Sequence, residues 1–206
     1  MCLPSAVAHL VFHVAFVLTW MFGYKDEVQE TAEKNIEAEK KSDAPAEIAR
    51  KETSETGVQT LYSPLEGIAI PLSKVKDATF ASEVLGKGVA VIPSKGEVKA
   101  PCDATVSTIF DTKHAIGLAT ESGLELLIHI GVDTVELGGK FYTAHVKDGD
   151  VVKKGQTLIN FDMDAIKAAG YDVTTPLIVT NTDDYEEVKM LAEGTVNNCS
   201  EVLEVK

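Results

Sequence analysis

Cysteine is scarce in this chain of 206 residues: Cys2, Cys102 and Cys199 are all it has. They are odd in number and far apart, with no Cys-x-x-Cys pair and no Cys/His zinc spacing. That argues against a disulfide framework or a structural zinc site and reads as reduced thiols. Cys102 follows Pro101 with no base adjacent in sequence, so nothing marks it as a nucleophile. Positive charge is also short. The net charge of −13 excludes a nucleic-acid-binding surface, because phosphate contacts need clustered Lys and Arg. Absent too are the Gly-rich signatures for ATP and dinucleotides, the G-x-S-x-G elbow and the H-E-x-x-H zinc helix. Any phosphate handled here must therefore arrive on a partner.

What is present falls into three regions of different composition. Residues 4–23 carry no Asp, Glu, Lys or Arg and are about the length of a membrane-spanning helix, which needs ~20 apolar residues. Trp20, Tyr24 and Lys25 at the end fit an interfacial anchor. Residues 1–24 are thus expected to form an apolar helix that attaches the chain to a membrane. Residues 25–57 are rich in Glu, Lys, Ala, Ser and Thr and hold no aromatic residue. Such a segment cannot bury enough surface to offset its ordering entropy and reads as a flexible charged linker.

Residues 58–206 alternate short apolar runs with Gly, Pro, Asp and Lys turns. Runs such as GVAVIPS, ATVSTIF, HAIGLAT, LELLIHIG, QTLINFD, PLIVTN and SEVLEVK recur every 8 to 14 residues, the pattern of a sandwich or barrel. Only KDATFASEVLG and MDAIKAAG have helical character. The expected fold is all-β, a compact β-sandwich or barrel with short helical turns.

This region holds three histidines, His114, His129 and His145. In a strand, Leu126, Ile128 and Ile130 point one way, while Leu127, His129 and Gly131 point the other. On spacing alone, His129 reads first as a half-buried sheet histidine bonded to a neighbour. Thr112 and His114 are two apart and would share a strand face. A hairpin through the turn at Ser122 sets His129 seven residues beyond it and His114 eight before it, which predicts cross-strand neighbours. Two imidazoles with a threonine on the same face form a phosphate or metal site: neutral imidazole is a nucleophile near pH 7, and the second ring can donate to phosphate oxygens. His145 is expected on a strand or the surface.

LELLIHIGVDTVELGGKFYTAHVKDGDVVKKGQTLI, with TKHAIGL upstream, resembles the glucose-type IIA domain of the bacterial phosphoenolpyruvate-dependent sugar phosphotransferase system. The resemblance covers roughly residues 60 to 204. It implies a small β-sandwich that takes phosphate from the phosphocarrier HPr and passes it to a IIB cysteine. His129 matches the phosphorylated histidine, His114 the second active-site histidine, and Thr112 the threonine that orients it. Gly131, Val132 and Asp133 fall at the pocket rim. Phe110 and the stretch with Val89 and Val91 match the apolar ring that docks partners. The opening stretch looks like the last membrane helix of a IIC domain of the β-glucoside, sucrose or trehalose branch. The chain then resembles the C-terminal part of a IIBCA permease, with its IIA domain on the cytoplasmic face of the bacterial membrane.

Two other readings stand beside this one. Glucose-type IIA domains can also act as regulatory modules, with zinc held at an interface by the equivalents of His114 and His129 and a partner carboxylate; no resident cofactor is implied. The H-x-x-x-D spacing of His129 and Asp133 occurs in some zinc peptidases of similar architecture, although the domain lacks an H-x-H pair.

Overall fold

The computed structural model describes residues 57–206; the expected apolar helix and nearly all of the linker lie outside the described residues. Alternation of apolar side chains drives strand formation, and among the described residues fourteen strands assemble into three sheets. The largest has the order β13(Gly194–Val196), β2(Gly67–Pro71), β3(Lys87–Pro93), β11(Thr175–Val179), β7(Glu125–His129), β6(Ala115–Ala119), β5(Ala104–Ile109), β9(Val151–Val152). Two three-stranded sheets pack over its inner face: β1(Gln59–Tyr62), β14(Glu201–Val205), β12(Val188–Met190), and β4(Glu97–Lys99), β10(Thr157–Phe161), β8(Tyr142–Ala144). The sandwich expected from the sequence is the observed architecture. The helical turns are α1(Ala78–Ala81) and α2(Met163–Ala168), capped by Asp77 and Asp162 respectively, whose carboxylates accept backbone N–H groups of the first turn.

The core between the layers contains Leu61, Val98, Val106, Ile116, Leu126, Ile128, Leu177 and Leu203, all essentially without solvent contact. A second apolar cluster lies on the other face of the large sheet. There Ala90, Ala115, Leu127 and Ile178 are covered by Leu72, Val75 and Phe80 from the segment that runs from β2 through a 3₁₀ turn at Leu72–Lys74 into α1. The central strands β7 and β11 are thus buried on both faces, which is why they read as unbroken apolar runs. Leu126 and Ile128 do enter the main core, while Leu127 enters the second cluster, as alternation predicts.

Val89 and Val91 require a correction. Both have no exposed surface and pack in the main core, so neither can touch a docked partner. They point inward from β3 because Ala90 between them takes the outward position. Among the described residues, no helix is long and apolar enough to cross a membrane.

Candidate phosphoryl-transfer site

The two histidines meet at the end of the β6–β7 hairpin. His129 is the last residue of β7, and His114 immediately precedes β6. Their rings lie 4.8 Å apart at 81°, although they are not directly opposed. The register sets Ala115 opposite His129, and the carbonyl of His114 accepts the Ile130 N–H at 2.6 Å. The rings meet because alternation breaks before β6. Phe110, Asp111, Thr112 and Lys113 form a turn, closed by the Lys113 N–H donating to the Phe110 carbonyl, and Lys113 is left-handed at φ 55°. Thr112 therefore sits in a turn rather than a strand. It still reaches the second histidine, with Oγ1 2.5 Å from Nδ1 of His114.

Beyond β7 the chain turns sharply. Gly131 has φ 84° and Asp133 φ 58°, so the Gly131 carbonyl folds back and accepts the Nδ1–H of His129 at 2.7 Å. That bond fixes the tautomer and leaves Nε2 of His129 with a free lone pair. A Cβ at Gly131 would stand 2.5 Å from the Thr134 methyl and 2.7 Å from the Asp172 carbonyl. Gly131→Ala is therefore expected to destabilise the domain by roughly 3 kcal/mol, combining left-handed strain with overpacking; urea denaturation measures it. The N–H groups of Ile130 and Val132 are engaged by His114 and Asp172, so they do not line the site as free donors.

Both rings are buried, His114 completely and His129 at 5% exposure. Phe80 packs against His129 at 5.1 Å and Phe110 against His114 at 5.5 Å. Half-buried Ile70, Leu85, Phe110 and Val132 edge the second apolar cluster. Of the expected docking residues, only Phe110 thus lies at the rim. Burial, reinforced by the neighbouring His129, holds the His114 ring down to about 3 from its ordinary 6.5. Burial also lowers His129, opposed by the Gly131 carbonyl and by the carboxylates of Asp77 and Asp133. Both rings are consequently neutral at pH 7. Nε2 of His114 is buried without a hydrogen-bond partner, a costly arrangement unless a ligand atom completes it.

These shifts give a pH prediction. In the unfolded chain both rings protonate near their ordinary 6.5, whereas in the fold His114 resists protonation down to about 3. The unfolded state binds more protons in that window, so stability is retained above about pH 6.5 and falls as the pH drops below it. Thermal melts should show the loss, and His114→Gln should flatten it.

Asp77, Phe80 and Val75 escaped the sequence reading. The placement of Asp77 and Phe80 against a histidine so remote in sequence is not legible in the local pattern. His145 is exposed, with Nε2 bonded to Oδ1 of Asn160, apart from the site. Among the described residues, no three His, Cys, Asp or Glu side chains are grouped to hold a metal; the H-x-x-x-D spacing does not assemble a peptidase ligand set.

Comparison with known proteins points in one direction. The family described as phosphoenolpyruvate-dependent sugar phosphotransferase system, EIIA 1, matches residues 59–185. The β-glucoside-specific EIIBCA component of Dickeya chrysanthemi is 47% identical over 191 residues, 91% of this chain and 29% of that protein. The β-glucoside-specific EIIBCA component of Bacillus subtilis (strain 168) is 54% identical over 127 residues, 62% of this chain and 21% of that protein. The glucose-specific EIIA component of Oceanobacillus iheyensis is 49% identical over 130 residues, 63% of this chain and 79% of that protein. The solved glucose permease IIA from Mycoplasma capricolum superposes with a TM-score of 0.68 at 30% identity, covering 73% of this chain and 97% of that one. The chain thus spans less than a third of the length of the EIIBCA relatives.

Proposed function

The chain belongs to the EIIA 1 family of the phosphoenolpyruvate-dependent sugar phosphotransferase system, and from that membership we propose that Nε2 of His129 is the atom that receives and releases the phosphoryl group. The family's members are phosphotransferases of sugar uptake. One observation carries the assignment: the Nδ1–H of His129 is bound to the Gly131 carbonyl, so the lone pair is held on Nε2 while burial keeps the ring neutral.

The donor is phospho-HPr. Its P–N bond breaks as a new P–N bond forms to His129 Nε2, and the freed imidazole of the carrier takes up a proton. Onward transfer breaks the bond to His129 as a P–S bond forms to a IIB cysteine. Beyond the one nucleophilic nitrogen of His129, the protein supplies position and charge stabilisation in both steps. His114, with Nδ1 held by Thr112, presents Nε2–H to a phosphoryl oxygen. Gly131, Val132 and Asp133 shape the rim, and Phe80 and Phe110 exclude water that would hydrolyse the phosphohistidine. Asp77 and Asp133 lie near enough to act on His129 electrostatically. They disfavour a dianion on that ring, which keeps the phosphoryl group easy to pass on, and they suit a cationic patch on the carrier.

The β-glucoside-specific relatives carry EIIBCA in their names. Accordingly, the domain serves a permease with IIB and IIC parts and works at its cytoplasmic face. A zinc ion between His114 and His129 would find two nitrogen ligands but needs further ones from a partner, such as a carboxylate; it belongs to a regulatory complex rather than to the transfer. The test is incubation of the full chain with phosphoenolpyruvate, enzyme I and HPr, followed by mapping of the phosphoryl group. One acid-labile phosphohistidine at His129 is expected; label at another residue, or none, overturns the assignment.

A further inference from the structure

Two large aliphatic side chains stand out of the same sheet face that carries the histidines. Ile68 on β2 and Ile92 on β3 are 49% and 41% exposed, and the register pairs them directly across the two strands. Two residues along β2, Ile70 is paired with Ala90, which is paired with Pro176 on β11. Continuing the β11–β7 register one step beyond Leu177 and Ile128 brings this row to His129. Ile70 and Ala90 belong to the second apolar cluster, so the exposed pair is the next row of the surface that leads to the phosphoryl site.

From strand spacings and rise, Ile92 is about 12 Å and Ile68 about 16 Å from His129. A standard interface covers ~800 Å² on each partner, a patch ~16 Å in radius, so one docked domain centred on His129 reaches both. The strip differs in charge from the site itself. Asp77 and Asp133 bias the site towards a cationic visitor. The strip is flanked by ion pairs that compensate themselves, Glu66 with Lys95 at 2.7 Å and Lys74 with Glu193, and by Thr195, which the register sets opposite Ile68. Two aliphatic side chains paired on one sheet face and continuous with a second apolar cluster mark an interaction surface rather than isolated exposure. An uncharged aliphatic strip adds nothing for a cationic carrier that the acidic site already attracts, whereas an acceptor held close by a shared permease gains apolar contact without needing charge to steer it.

We propose that Ile68 and Ile92 form an extension of the docking surface that is used by the cysteine-bearing IIB acceptor and not by the HPr donor. This rests on the reading of His129 as the phosphoryl site. The test separates the two half-reactions. The Ile68→Thr/Ile92→Thr variant of the full chain keeps β-branched side chains in both strands, and Ile68→Glu/Ile92→Lys is a second variant should the first be too mild. Uptake from phospho-HPr and transfer to the purified IIB domain of the Dickeya chrysanthemi relative are timed separately. The expected result is a rise in KM for IIB of about tenfold, with uptake from phospho-HPr within twofold of the parent chain. Equal loss in both half-reactions, loss confined to uptake, or no loss with either variant overturns the proposal. Failure of the parent chain to take label at His129 removes the underlying reading instead, and the proposal with it.

Discussion

Replacing His129 by Gln is expected to lower phosphoryl uptake from phospho-HPr by at least about 10,000-fold, the scale of losing an enzyme's covalent nucleophile. The side-chain amide nearly matches the imidazole in size and can still donate to the Gly131 carbonyl, so the local turn should survive. What disappears is the lone pair held on Nε2 by that same bond. No other described histidine can substitute: His114 has its Nδ1 on Thr112 and its Nε2 buried, and His145 lies apart, bonded to Asn160. Because burial lowers His129 from its ordinary value, uptake by the parent chain should fall off only at a lower pH than a free imidazole would dictate. Undiminished labelling of a folded His129→Gln protein sinks the assignment.

The second large effect belongs to His114. His114→Gln should accept phosphate within a few-fold of the parent rate, yet pass it to the IIB cysteine about 100-fold to 1,000-fold more slowly, the usual scale of losing one oriented donor to developing charge. Uptake depends first on the lone pair of His129. Release requires the phosphoryl oxygens to be held while the bond to nitrogen lengthens, and the Nε2–H of His114 is the buried group left without a partner until an oxygen arrives. Thr112→Val probes the same point. It removes the hydroxyl 2.5 Å from Nδ1, frees the ring to adopt the other tautomer, and should slow release without altering the fold. Stopped reactions resolved by phosphate-affinity electrophoresis separate the two steps; equal effects of His114→Gln on both would overturn this division of labour.

Much of the sandwich was legible. Strands such as β3, β7, β10 and β11 are runs of aliphatic residues long enough to announce themselves. The helical character of α1 and α2 was legible as well, with an Asp at the capping position of each. β9, β12 and β13 were not legible, because strands of two or three residues carry too few side chains for alternation to register. Val89 and Val91 were assigned to a docking ring through the family resemblance of their stretch. Parity groups them together but does not say which face of a doubly covered sheet is the inner one. The hairpin arithmetic brought the two histidines to the same end of β6 and β7, but it misjudged how they meet. A cross-strand pair was expected, whereas the left-handed residue at Lys113 and the turn before it carry the His114 ring to its neighbour.

His129, His114 and Thr112 were thus determined as a group by sequence alone, since motif and spacing are local properties of the chain. The state of the rings was decided by tertiary structure. Burial against Phe80 and Phe110, the backward turn of the Gly131 carbonyl and the carboxylate of Asp77 come from segments that meet only when the sheets close. Desolvation and hydrogen-bond geometry depend on what surrounds a group in space, and it is these that keep both imidazoles neutral and engage the Nδ1 of each.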